Sequence, residues 1–134
     1  MTTGPELTQE QIKELADRLE ARRSELLALI REELLRSDQE HYRDLAGQVH
    51  DSAEESVADL LSDLDLAVID HHLAELREVE AALQRMRSGT YGICVDCEKP
   101  IGHARLASYP WARRCATCQQ VWERTRPEGY PPSL

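Results

Sequence analysis

Aromatic residues are scarce in this sequence, which has no Phe, two Trp and four Tyr among 134 residues. Because aromatic rings supply much of the buried area in thick globular cores, their scarcity argues against a core of that kind. No run of about 18 apolar residues occurs, which excludes a transmembrane helix and a membrane partner. The first residues also lack the apolar stretch of a signal peptide, so we expect the protein to be cytoplasmic.

Lys and Arg are absent between Arg43 and Arg77, a window that holds nine Asp and Glu residues. The formal net charge of −9 is uneven: residues 1–87 carry 10 Lys and Arg against 21 Asp and Glu, whereas residues 88–134 carry 6 against 4. An acidic chain is poorly suited to bind the phosphate backbone of nucleic acids. The window is interpreted either as a solvated helix face or as an acidic surface directed at a basic partner or a divalent cation.

Two long helices are predicted from capping boxes and apolar spacing. One capping box begins at Thr8 and another at Ser52, each with a Gln or Glu three residues later. After each box, apolar residues recur at three- and four-residue spacing, over residues 12–34 and 57–86. Each helix should contain about 38 residues and measure about 57 Å.

A short turn near residue 49 makes the two predicted helices antiparallel neighbours. This arrangement brings apolar residues together at both ends of the seam between the helices. In the middle of the seam the match is weaker, because Arg22 falls near Leu76 and Leu26 falls near His72. The pattern predicts an antiparallel coiled coil.

Two adjacent histidines, His71 and His72, lie within the second predicted helix. Neither a cysteine nor a third histidine accompanies them in the sequence. The sequence therefore favours histidines that are exposed to solvent or fill the seam, and a role as metal ligands is the less favoured interpretation.

Four cysteines form two CxxC pairs with 17 residues between the pairs: Cys94, Cys97, Cys115 and Cys118. Two such knuckles at this separation fit a tetrahedral zinc site, because each presents two thiolates from one tight turn. Two disulfides are the alternative, but they require an oxidising compartment. A thioredoxin-like redox site would require a βαβ context that the sequence lacks.

We expect one structural zinc ion, because four thiolates fill a tetrahedral shell and leave no open position for a catalytic water. The ion should supply most of the folding free energy of a module of about 40 residues. The sequence shows no nucleophile–base pair and no phosphate loop. No catalytic residues are therefore predicted, and the protein is not expected to be an enzyme.

The predicted fold class is mainly α: a long antiparallel coiled-coil hairpin, a small four-cysteine zinc-finger module and a short C-terminal helix. The hairpin takes residues 1–88, and residues 45–56 form what we call the acidic tip. The zinc module takes residues 89–126 and includes the C-terminal helix. Residues 127–134, which are rich in Pro, form a flexible tail.

The cysteine-rich segment has a specific pattern beyond its four cysteines. It reads YGICVDC from Tyr91 and IGxxRLxxYPxxxxCATC from Ile101 to Cys118. Together with the acidic hairpin, this segment resembles the DksA/TraR family of bacterial transcription regulators. The resemblance implies binding to RNA polymerase and not to specific DNA sequences. It further implies that the zinc module docks at the rim of the polymerase secondary channel and that the coiled coil enters the channel.

In that family the tip carries the motif D-x-x-D-x-A close to the catalytic magnesium of the polymerase. Counting back from the cysteines without a gap places this motif on Asp51, Glu54 and Ser56. Glu replaces the second Asp and Ser replaces the Ala, so the resemblance implies channel binding with a weakened or altered regulatory effect. Asp51 would also cap the second helix of any hairpin.

Family members that respond to the alarmone ppGpp use basic side chains that correspond here to Glu78, Tyr109 and Gln119. None of the three is basic, and a highly charged nucleotide needs Arg or Lys partners. We therefore expect little dependence on ppGpp.

Three arginines of the zinc module are the predicted docking residues at the base of the hairpin: Arg105, Arg113 and Arg114. The same arginines leave open a weak nucleic-acid-binding zinc protein, although the small positive charge of this segment disfavours it. A stress or interaction protein of the same family that lacks polymerase control is a further alternative, which the altered tip motif favours. We expect a monomer.

Overall fold

The computed structural model describes residues 7–36, 39–51, 57–61 and 69–125. These residues form six helices. They are α1 (Gln9–Leu35), α2 (Glu40–Asp51), α3 (Val57–Leu61), α4 (Asp70–Ser88), α5 (His103–Ser108) and α6 (Ala116–Thr125). The described residues contain no β structure beyond one isolated bridge between Ile93 and Pro100. The predicted mainly α class with a short C-terminal helix is confirmed, and that helix begins at Ala116, two residues before Cys118.

Helix α1 begins at the capping box predicted at Thr8. The Gln11 amide donates to the Thr8 hydroxyl at 3.1 Å, and the Thr8 amide donates to the Gln11 side-chain oxygen at 2.9 Å. These two bonds satisfy amides that have no partner within the helix. The second predicted box, at Ser52, lies outside the described residues.

The predicted length of about 38 residues is wrong for the first helix. The turn predicted near residue 49 is also wrong, because that position lies inside a helix, α2 (Glu40–Asp51). Helix α1 ends at Leu35, and α2 begins at Glu40 as a separate helix. The sequence between them contains Ser and Asp, whose side chains compete with the backbone for helical hydrogen bonds. Of the second predicted helix, the structure describes α3 and α4, and residues 62–68 between them lie outside the described residues.

The chain divides into two compact units: Met1–Leu19 with Ala82–Leu134, and Glu20–Ala81. We call them the zinc-module unit and the helical unit. In the zinc-module unit, the buried apolar residues come from α1, α4 and the cysteine-rich segment: Leu15, Leu19, Ala82, Leu83, Tyr91, Ile101, Leu106 and Ala112. In the helical unit they come from all four helices and from Ile69, just before α4: Leu26, Ile30, Leu34, Ala46, Val49, Val57, Ala58, Leu61, Ile69, Leu73, Leu76 and Val79.

Within the helical unit, α1 and α4 run antiparallel, as predicted. Arg22 forms a bidentate ion pair with Glu75, with one N···O distance of 2.8 Å. The Glu33 carboxylate lies 2.7 Å from the Nδ1 atom of His72. Arg22 thus contacts Glu75, the residue immediately before its predicted neighbour Leu76. The polar partner of His72 is Glu33 of α1.

Helix α2 also packs on α1 within the helical unit. Val49 is buried and lines a pocket with Leu27 and Ala28. Ala46, one turn earlier, is fully buried. Burial of these apolar side chains favours a separate α2 packed on α1 over one extended helix.

The short helix α3 is held by a buried carboxylate. The Glu80 side chain is 5% exposed and accepts hydrogen bonds from the amides of Val57 and Ala58, each at 3.0 Å. It also pairs with Arg23 at 2.9 Å. The first amides of a helix need partners from outside that helix. Glu80 of α4 therefore provides the hydrogen-bond acceptors that a capping residue at the start of a helix normally provides.

None of the helices in the described part of the chain combines the length and the apolar character needed to cross a membrane.

Candidate metal centre

The first cysteine knuckle is a tight loop closed by backbone hydrogen bonds. The Cys94 amide donates to the Lys99 carbonyl at 2.8 Å, and the Glu98 amide donates to the Cys94 carbonyl at 3.0 Å. Glu98 has a φ of 63°, in the left-handed region that lets the chain reverse direction in so few residues. The loop presents Cys94 and Cys97 on the same side.

The second knuckle is the start of α6. Cys115 immediately precedes the helix and Cys118 lies in its first turn. The Gln119 amide donates to the Cys115 carbonyl at 2.9 Å, and the Cys118 amide points at the Cys115 sulfur at 3.5 Å. A helix N-terminus favours negative charge, so this position stabilises thiolates.

The four predicted cysteines come together from the two knuckles. Their sulfur atoms all lie within 4.8 Å of one another, and the Cys97 and Cys115 sulfurs are 3.9 Å apart. A disulfide needs about 2.05 Å, so none joins these cysteines. Four thiolates around one Zn2+ ion at about 2.3 Å stand about 3.8 Å from one another. The arrangement therefore fits a structural zinc ion held by four cysteines.

The thiol pKa values differ because the knuckles surround the sulfurs unequally. Burial raises the pKa of Cys94, but backbone hydrogen bonds at Cys97, Cys115 and Asp96 outweigh it and bring this pKa to about 6. The neighbouring thiol of Cys115, followed by burial, raises the pKa of Cys118 to about 12. Thiolates this close repel one another, and a divalent cation removes that repulsion.

Arg114 and Arg105, two of the predicted docking residues, connect parts of the zinc module. The Arg114 side chain donates to Asp96 of the first knuckle at 2.8 Å, and its guanidinium lies 4.9 Å from the centre of the Trp122 ring on α6. Arg105 of α5 donates to the Arg114 carbonyl at 2.8 Å. Both arginines therefore have a structural role, whatever they bind outside the module.

Arg113, the third predicted docking residue, lies beside the first knuckle. Its carbonyl accepts a hydrogen bond from the Val95 amide at 3.0 Å. Its side chain is partly exposed. The structure thus brings all three arginines into the zinc module, and docking itself stays a prediction.

The structure does not describe the side chains of the three residues predicted to act at the acidic tip. Asp51 is the last residue of α2, but its side chain falls outside the described part. Glu54 and Ser56 lie outside the described residues. Of the three positions considered for ppGpp, Tyr109 is 39% exposed, whereas Gln119 is buried and donates to Glu123 at 3.0 Å.

Tyr91 and Gly92 anchor the start of the zinc module. The buried Tyr91 hydroxyl donates to the Pro110 carbonyl at 2.7 Å, and burial raises its pKa to about 12. Gly92 has a φ of 85°, and a Cβ atom there would lie 3.0 Å from the Leu7 side chain.

We expect Gly92→Ala to lower the free energy of unfolding by about 1–2 kcal/mol, because Ala is strained at positive φ. Chemical denaturation of the zinc-loaded protein measures this change. Gly89→Ala tests the φ effect alone, since φ is 78° there and no atom lies within 4 Å of the added Cβ. Gly47→Ala in α2 should be neutral or stabilising. Equal stabilities for all three variants would contradict this account.

Comparison with known proteins agrees with the metal centre. Residues 89–124 match the family model of the prokaryotic dksA/traR C4-type zinc finger. An uncharacterised protein of Haemophilus influenzae is 35% identical over 78 residues, which cover 58% of this chain and 96% of that protein. The chain belongs to the DksA/TraR family.

Relatives with descriptive names match different parts of this family member. The RNA polymerase-binding transcription factor DksA of Caulobacter vibrioides is 28% identical over 122 residues, which cover 90% of this chain and 81% of that protein. General stress protein 16O of Bacillus subtilis is 40% identical over 63 residues, which cover 47% of this chain. The match spans only 37% of the length of the Bacillus protein. No solved structure was found to match the chain.

Proposed function

We propose that this protein is a cytoplasmic, monomeric transcription regulator that binds RNA polymerase at its secondary channel. The observation that carries the proposal is the extent of the similarity to the Caulobacter DksA, which covers 90% of this chain and not the zinc finger alone. A regulator of this kind needs no catalytic residues of its own.

The proposed roles follow the distribution of charge along the chain. The zinc module, with Arg105, Arg113 and Arg114, docks at the rim of the channel. The acidic tip, with Asp51, Glu54 and Ser56, points toward the polymerase active site. Its carboxylates act there by electrostatic interaction with the metal ion or with basic groups. Little dependence on ppGpp is expected, because Glu78, Tyr109 and Gln119 offer no positive charge to a nucleotide.

A binding and transcription experiment tests these roles. The zinc-loaded protein should retain core RNA polymerase in a pull-down at low salt, and so should the double variant Asp51→Asn, Glu54→Gln. The double variant should nevertheless change initiation at sensitive promoters, because it removes tip charge without touching the docking residues. A matched double variant in exposed positions of α1, Glu14→Gln with Asp17→Asn, should leave both readouts unchanged.

Failure to bind core polymerase at low salt would overturn the proposal. A mobility shift of DNA without polymerase would favour a nucleic-acid-binding zinc protein instead.

The second candidate is a stress or interaction protein of the same family without polymerase control. The similarity to General stress protein 16O favours it, as do the substitutions at Glu54 and Ser56. Polymerase binding with no effect of the tip variants on initiation would identify this second function.

A further inference from the structure

A second group of metal-ligating side chains lies in the helical unit, away from the four cysteines. Glu33 of α1 and the adjacent His71 and His72 of α4 each offer one ligand atom, and these atoms lie within 4.8 Å of one another. The Glu33 carboxylate is 2.7 Å from His72 Nδ1, and the two imidazole rings are 3.8 Å apart between centroids. No third donor for these histidines is evident from the sequence pattern, and α1 supplies it as Glu33.

The surroundings hold this group in place and leave it accessible. The side chains of Glu33 and His72 are only 17% and 19% exposed, and they lie next to Leu34 and Leu73, which are buried. His71 is exposed, so an ion can reach the group from solvent. The two sides of the group belong to different helices, so an ion bound there would link α1 to α4.

The donor set indicates the class of ion. Two imidazoles and one carboxylate suit borderline divalent transition metals such as zinc, whereas Ca2+ and Mg2+ prefer oxygen ligands. Three protein ligands leave at least one coordination position for water, in contrast to the four cysteines. Ligand atoms about 2.0–2.2 Å from a tetrahedral zinc ion stand about 3.4 Å from one another, and the three atoms here lie within 4.8 Å.

We propose that Glu33, His71 and His72 bind a divalent transition-metal ion, in addition to the structural zinc of the four cysteines, and that this ion fastens α1 to α4. The proposal is independent of the polymerase function, because it concerns only the contacts of these three side chains.

Titration of Zn2+ into the full-length protein that already carries one zinc tests this site. Calorimetry, with metal analysis after dialysis, should show a second equivalent bound, and the thermal unfolding temperature should rise with Zn2+ concentration. Glu33→Gln, His71→Ala and His72→Gln should each weaken this second binding by at least about tenfold, since each removes one ligand.

Two control variants keep the result specific. Glu32→Gln removes an exposed carboxylate next to Glu33, and His103→Ala removes a histidine of the zinc module; both should bind the second equivalent like the unchanged protein. His71→Ala is the decisive variant, because an exposed side chain can be removed without loss of fold. The proposal would be overturned if the unchanged protein bound no zinc beyond the structural ion. It would also be overturned if His71→Ala bound the second equivalent as tightly as the unchanged protein.

Discussion

Removal of zinc by a strong chelator, or the substitution Cys94→Ser, is expected to unfold the zinc module. The sulfurs of four cysteines from two knuckles meet there, and few apolar side chains of the module are buried besides Tyr91, Ile101, Leu106 and Ala112. Zinc binding supplies about 10–16 kcal/mol in zinc-finger peptides, so its loss outweighs what this small core can hold. The helices of the helical unit have their own buried core and should persist.

Tryptophan fluorescence measures this unfolding selectively, because both tryptophans of the protein, Trp111 and Trp122, belong to the zinc module. Chelation should change the tryptophan emission while far-UV circular dichroism retains most of its helical signal. Thr117→Ser, an exposed change inside the second knuckle, should leave zinc content and emission unchanged. Unaltered emission and circular dichroism after complete loss of zinc would contradict the structural role of the ion.

The second large effect is expected for Glu80→Gln, which should lower the free energy of unfolding by about 3 kcal/mol. The Glu80 carboxylate serves two helix amides and the Arg23 side chain from a position that is 5% exposed. The two amides donate to different oxygens of Glu80, so a glutamine in the same position presents an NH2 group to one of them. It also removes the negative charge that faces Arg23. Removing one partner of a buried charged network costs about 3–5 kcal/mol, and the partial exposure of Arg23 places the effect at the lower end.

Urea denaturation of the zinc-loaded protein measures this loss. Glu20→Gln, in an exposed position of α1, should change the stability by less than about 0.5 kcal/mol. In the double variant with Arg23→Ala, the two losses should not add, because both side chains belong to one network. Full additivity, or a loss no larger than that of Glu20→Gln, would show that Glu80 does not hold α3.

The parts of the structure that depend on local sequence could be predicted. The spacing of the four cysteines indicates the zinc site because two tight turns are enough to present the ligands. The capping box at Thr8 needs only two residues that are three apart. The antiparallel direction of α1 and α4 also follows from the apolar pattern alone.

The parts that depend on distant partners could not be predicted. Glu80 lies 22 residues from Ala58, and Glu33 lies 39 residues from His72, so neither contact leaves a spacing signal in the sequence. The division between α1 and α2 could not be predicted either, because it also depends on a contact between distant residues. The burial of Val49 on α1 decides it, and an apolar residue at that position fits one long helix equally well.

Photo-crosslinking from the acidic tip tests the proposed function most directly. A photoreactive amino acid at position 48, which is exposed on α2, would be activated in the complex with core RNA polymerase. The account predicts crosslinks to the polymerase subunits that line the secondary channel and the active site. Crosslinks confined to the outer surface of the polymerase, or none at all in a complex that forms, would contradict it.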